Sequence, residues 1–159
     1  MQCSVHPVSS FIQVRQAELL PGWVEPVASV LVVLQRAERD LLHRNAVTDC
    51  DRNRLRQQFL QFGRQVMAQL EDQGYQAEIF DPRTGLPVYT PSGSVRFDDV
   101  AIARSVLNYP VEKHRGCLAM VHPVWGGAVY PSTLVSSAPP SILQAIVNSL
   151  MKSLPQSYS

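Results

Sequence analysis

Residues 27–37 read VASVLVVLQRA, an almost unbroken apolar run rich in β-branched side chains and closed by Gln35 and Arg36. A strand with one wet face alternates apolar and polar residues. A run that is apolar at every position is instead a strand covered on both faces, or a helix sunk in a core. Its valines favour the strand. The expectation is a sheet with packed layers on both sides, which the rest of the chain must supply.

Upstream, QCSVHPV (2–8) alternates enough for a strand. SSFIQVRQAELL (9–20) opens on a serine cap and carries Phe11, Ile12, Val14, Leu19 and Leu20 into a short helix stopped by Pro21 and Gly22. Downstream, Asp49 or Asp51 caps a long helix in which Leu55, Phe59, Phe62, Val66, Met67 and Leu70 follow three-four spacing, and Gly74 closes it. Gly63 inside this helix costs about 1 kcal/mol relative to alanine and reads as tolerated rather than required. YQAEIFD (75–81), the turn DPRTG (81–85) and LPVYT (86–90) form the clearest hairpin signal in the chain.

RFDDVAIARSVL (96–107) starts a short helix at Asp98 or Asp99. CLAMVHPV (117–124) and GGAVYPSTLVSS (126–137) read as strands around a Trp125, Gly126, Gly127 corner. APPSILQAIVNSLMKSL (138–154) ends the chain as a helix with prolines in its first turn and Ile142, Leu143, Ile146, Val147, Leu150, Met151 and Leu154 on one face. Strands and helices without regular alternation predict an α+β fold with a mainly antiparallel sheet, one domain over 1–159 with a polar tail from about 155.

A chain of 159 residues buries a real core without staples, and a net charge of +1 offers no field for nucleic acid. The longest apolar run falls far short of the roughly 20 residues of a membrane helix, and the opening MQCSVHPVSSF has no leader-like pattern. Cys3, Cys50 and Cys117 are odd in number and irregularly spaced, unlike a secreted disulfide framework. The expectation is a soluble cytoplasmic protein with at least one free thiol.

Chemistry concentrates in KHRGCLAMVHPVWGG (113–127). Lys113, His114 and Arg115 precede Cys117 and would favour its thiolate, the form that attacks and binds soft metals. Cysteine is equally at home as a small inert hydrophobe on an apolar strand. His114, Cys117 and His122 make H-x2-C-x4-H, with Cys3 and His6 as a remote pair, yet strand parity sets Cys117 and His122 on opposite faces, and a closed zinc site needs four ligands. His122 before Pro123 reads first as a hydrogen-bonded histidine at a strand end, and Trp125 as core. Gly126 and Gly127 allow a tight bend or the approach of a flat ligand. Glu78, Asp81, Asp98 and Asp99 read as solvated turn residues, and no phosphate loop, G-x-S-x-G, H-E-x-x-H or paired C-x-x-C is present.

Two blocks, GYQAEIFDPRTGLPVYTP (74–91) and RGCLAMVHPVWGGAVYPSTLVSSAPP (115–140), resemble the methylmalonic aciduria and homocystinuria type D (CblD) family. Gly74, Tyr75, Ala77, Asp81, Pro82, Gly85 and Leu86 match its first pattern, and Gly116, Cys117, His122, Trp125 and Gly126 its second. The resemblance extends more loosely over most of the chain. It implies a modified nitroreductase-like α+β fold that has lost flavin binding and serves cobalamin (vitamin B12) trafficking as an adaptor. Cys117 would coordinate the cobalt of a cobalamin held by a CblC-type partner, with Gly116, His122, Trp125 and Gly126 shaping the supporting loop. Cofactor would then pass to methionine synthase or methylmalonyl-CoA mutase. Animal members carry two adjacent cysteines and an N-terminal mitochondrial leader; here Cys117 is followed by Leu118, and the resemblance is to the compact cytosolic domain. The competing reading is a small thiol- or flavin-dependent redox enzyme of the same fold.

Overall fold

The computed structural model describes residues 1–114 and 117–153, with His114 and Cys117 described by their backbones alone. Strands β1 (Gln2–Pro7), β2 (Ser29–Arg36), β3 (Ala77–Phe80) and β6 (Val129–Ser136) form an antiparallel sheet in the order β1-β2-β6-β3, and β4 (Val111–His114) pairs with β5 (Cys117–Met120) in a separate hairpin. Four helices complete the α+β fold: α1 (Ser10–Leu19), α2 (Ala46–Glu71), α3 (Asp99–Leu107) and α4 (Pro140–Ser153).

The opening stretch is a strand, as its valines predict, and Ser29 through Gln35 are all buried. Alternation along β2 sends Leu31 and Val33 to one face and Val30, Val32 and Leu34 to the other, so it belongs to both cores. On the first face α2 and α4 supply Phe59, Phe62, Val66, Leu70, Leu143, Ile146 and Val147. On the second, α1, α3 and the hairpin supply Ile12, Leu19, Ile102 and Met120 around a stacked Phe80–Phe97 pair with centroids 4.1 Å apart.

Helix α2 starts earlier than its aspartates predict. Asn45 is the cap: its side-chain oxygen accepts from the Val47 and Thr48 amides at 3.0 Å, and Thr48 Oγ1 accepts from the Asn45 amide in return. Asp51 is occupied elsewhere, accepting the Glu38 amide at 2.9 Å. The far end matches expectation, with Gly74 at φ +82° and the Tyr75 amide donating to the Leu70 carbonyl at 3.0 Å. Gly63 permits close packing on the sheet, because a Cβ there would meet Ile79 Cδ1 at 2.6 Å and the end of that side chain would have to shift.

The expected hairpin at 81–85 forms only its turn. Asp81 and Leu86 still bond across it at 2.8 Å, but pairing reaches only a single Phe80–Pro87 bridge, and the strand partner of β3 is β6. Glu78, wholly buried, replaces the missing ladder. Its Oε1 accepts from the amides of Ile79, Val88 and Tyr89 at 2.8, 3.1 and 3.2 Å, and Oε2 accepts from Thr90 at 2.8 Å.

Candidate functional site

The β4–β5 hairpin carries the thiol singled out in the sequence. Its register pairs Val111 with Met120, Lys113 with Leu118, and His114 with Cys117, so Cys117 belongs to the last pair before residues 115 and 116. Gly116, expected in the supporting loop, lies outside the described residues, as do Arg115 and the tail from 154. Met120 is 2 % exposed and roots the hairpin in the second-face core, whereas Leu118 stands 49 % exposed.

Directly after β5 the chain ties a knot. His122 and Gly126 exchange backbone hydrogen bonds at 2.8 and 2.9 Å, Gly126 adopting φ +57° to close the turn. The buried His122 ring accepts at Nδ1 from the Val124 and Trp125 amides, both at 3.1 Å, which leaves its proton on Nε2 to donate to Gln2 Oε1 at 3.1 Å. It stacks on Trp125 at 4.0 Å and meets Tyr109 edge-on at 5.3 Å. Burial lowers its pKa, in keeping with a neutral ring. His122, Trp125 and Gly126 lie together directly after β5, and His122 is the hydrogen-bonded histidine that its place before Pro123 predicts.

The remote Cys3 and His6 pair of the zinc reading does not assemble, while the side chains of His114 and Cys117 lie outside the described residues. Cys3 packs with the first-face core, donating to Met151 Sδ at 3.7 Å, while His6 pairs opposite Val30 of the second face. Both ring nitrogens of His122 are engaged, and among the described residues no cluster of three or more His, Cys, Asp or Glu side chains could hold a metal. Burial pushes the Cys3 thiol up to about 12, so it stays protonated and inert. Cys50, on α2, is exposed.

The same hairpin walls a cavity of about 1050 Å³, at the end of the sheet where β2 and β3 leave and β6 enters. Leu118, Ala119 and Met120 form one side. Asp49, Arg52, Asn53 and Arg56, three to four residues apart on α2, form another, and the 82–85 turn and the start of α3 complete it. Both sequence blocks that carry the family resemblance therefore meet here. Arg56 fixes the turn to α2 through a two-pronged pair with Asp81, each bond 2.7 Å, and this hydrogen bonding holds the Asp81 carboxyl below its ordinary range. Gly127 also lines the cavity, where a Cβ would strike the Asp40 carboxylate at 2.5 Å.

Two of the four carboxylates read as solvated are not. Glu78 is wholly buried as the clamp described above, and Asp99, first residue of α3, is 8 % exposed beside the cavity. Burial raises the Asp99 carboxyl to about 8, and the neighbouring Thr133 hydroxyl offsets only part of that rise. Asp98 is exposed and caps α3 by accepting the Ala101 amide at 3.0 Å. The α2 stripe had a sequence signal in its spacing, but an exposed polar helix face has the same one.

Comparison with known proteins bears directly on the hairpin and its surroundings. The chain is 20 % identical over 138 residues to cobalamin trafficking protein CblD of Rattus norvegicus, covering 87 % of this chain and 47 % of that protein. Against the Homo sapiens protein of the same name, identity is 20 % over 140 residues, covering 88 % and 47 %. The chain spans about half the length of these relatives. The family described as methylmalonic aciduria and homocystinuria type D protein matches residues 1–150, which include both resemblance blocks, the hairpin and the knot behind it, and the chain belongs to that family.

Proposed function

We propose that this chain is a cobalamin-trafficking adaptor rather than a stand-alone enzyme, and that Cys117 coordinates the cobalt of a cobalamin held by a CblC-type partner. The observation that carries the reading is the family match over residues 1–150, with relatives named for cobalamin trafficking. The hairpin register supports it by pairing Cys117 with His114 at the last position before the link, with Lys113 one pair back. Nearby cations favour the thiolate, and a soft, polarisable sulfur suits cobalt. In the proposed step the thiol releases its proton to solvent and the sulfur donates a lone pair into a cobalt coordination position. No electron is transferred.

The residues behind the hairpin have a mechanical part in this reading. Met120 and the His122–Trp125–Gly126 knot hold its base, so a partner meets a presented strand rather than a floppy loop. A nitroreductase-like architecture without bound flavin, a cytoplasmic location, and delivery to methionine synthase or methylmalonyl-CoA mutase belong to the same proposal.

The test is the visible absorption spectrum of a cobalamin mixed with the protein or its Cys117→Ala variant, each with and without a CblC-type partner. A cobalt–thiolate band that needs both the partner and Cys117 is expected. The same band in the variant, or none under any condition, would overturn the assignment. A protein purified yellow with bound flavin would favour the redox enzyme instead.

A further inference from the structure

The cavity beside the hairpin contains polar groups that no described residue satisfies. Asp99 is 8 % exposed, and among the described residues its Oδ1 has no hydrogen-bond partner. With its pKa raised by burial to about 8, the carboxyl is predominantly protonated at neutral pH and offers an O–H. The Tyr130 side chain is 8 % exposed, and among the described residues its hydroxyl makes no hydrogen bond. Arg44 and Arg83, exposed at the rim, make no side-chain hydrogen bond or ion pair among the described residues. Every one of these groups can donate. The amino end of α3, represented by Val100, adds the partial positive charge of a helix start.

The acidic residues in the lining do not cancel this bias. Asp49 lies 3.4 Å from Arg52, and Asp98 is turned to the Ala101 amide. A buried polar group left unpaired is costly, so a ligand rich in acceptors would satisfy groups that the described residues leave without partners. The other walls are apolar, from Phe97, Met120 and Val129, and the volume of about 1050 Å³ is that of a site for an organic molecule.

We propose that this cavity binds a small organic anion, a phosphate or carboxylate on an apolar body, gripped by Arg44 and Arg83 at the rim and by Asp99 and Tyr130 at the floor. The site requires nothing of Cys117, so it stands or falls separately from the cobalt assignment.

The test is titration of the ¹⁵N-labelled protein with phenyl phosphate, benzoate and, as a neutral control, benzyl alcohol, followed by amide chemical shifts. Saturable shifts centred on 82–85, 98–100 and 127–130 are expected from an anion and not from the alcohol, and the more effective anion identifies the head group. In the Arg44→Ala/Arg83→Ala double variant, altered only at exposed positions, the midpoint should weaken about tenfold. Tyr130→Phe should weaken it too, with volume retained, and Cys117→Ala should leave it unchanged. No saturable shift with either anion, equal shifts with benzyl alcohol, or an unchanged midpoint in the double arginine variant would overturn the proposal.

Discussion

On one face of the sheet α2 and α4 lay Phe59, Val66, Leu70, Leu143 and Val147 against Leu31, Val33 and Leu134, and the buried polar strand residues there, Ser29, Gln35, Ser132 and Ser136, are all neutral. On the other, the 10 residues of α1, the 9 of α3 and a small hairpin cover the strands, with Glu78, Asp99 and His122 buried among apolar side chains. Long amphipathic helices seal a surface with hydrocarbon. Short elements meet at many ends, and each end brings backbone and ionisable groups that need partners. The first face therefore carries stability, while the second holds the thiol-bearing hairpin, and the cavity lies at the end of the sheet between that hairpin and the start of α2.

The sharpest way to break this contrast is Phe59→Ala. It should cost about 3–5 kcal/mol in denaturant unfolding, as one cooperative transition, because the whole first-face core loses its filling. Met120→Ala should cost about 2–3 kcal/mol, at the low end for its class because the cavity already adjoins the site. Hydrogen exchange should quicken in the Val111–Met120 ladder while β2 and β6 stay protected. Equal loosening of β2 would show that the hairpin is no separate unit. In Gly63→Ala, overpacking against Ile79 should cost about 1–3 kcal/mol against the roughly 1 kcal/mol that alanine gains in a helix, and a raised midpoint would mean the first face yields more than its contacts imply.

The last test is a slope with pH rather than a single midpoint. In the unfolded chain the Asp99 carboxyl ionises near its ordinary 3.8, and in the fold near 8, so the native state holds a proton that the unfolded chain releases across that window. Stability contributed by this group is greatest at low pH and falls as pH rises from about 4 to about 8. Asp81, whose carboxyl is lowered by Arg56, works in the opposite direction and loses its contribution as pH falls. Subtracting the Asp99→Asn unfolding profile from that of the unaltered protein isolates the first slope, and a flat difference between pH 4 and 8 would show that Asp99 is ionised in the fold.

Legibility in the sequence divides along the same line. The all-apolar run of β2, the stripe from Leu55 to Leu70 and the face of α4 were readable because one period persists over many residues. At four residues, β4 is too short to establish a period, and the start of α2 moved to Asn45 because its reciprocal pair with Thr48 outcompetes aspartates further in. Glu78 could not be recognised as buried, since three of its four amide partners depend on a segment 10 to 12 residues onward curling back. The knot was half legible: His122 before Pro123 signalled a satisfied ring, but only the fold supplies Gln2, 120 residues away.

The Glu78 clamp also affects how molecules of this kind meet one another. A sheet's outermost strands expose unpaired amides and carbonyls that invite another chain to add itself, the usual start of aggregation. Along β3 that invitation is withdrawn: residues 88–90 lie across the border with their amides turned to the Glu78 carboxylate, that of Val88 shared with the Ile79 carbonyl, between Pro87 and Pro91. With the order β1-β2-β6-β3, any growth of this sheet by strand addition is left to β1, so a single buried acid makes the molecule one-sided toward its own kind.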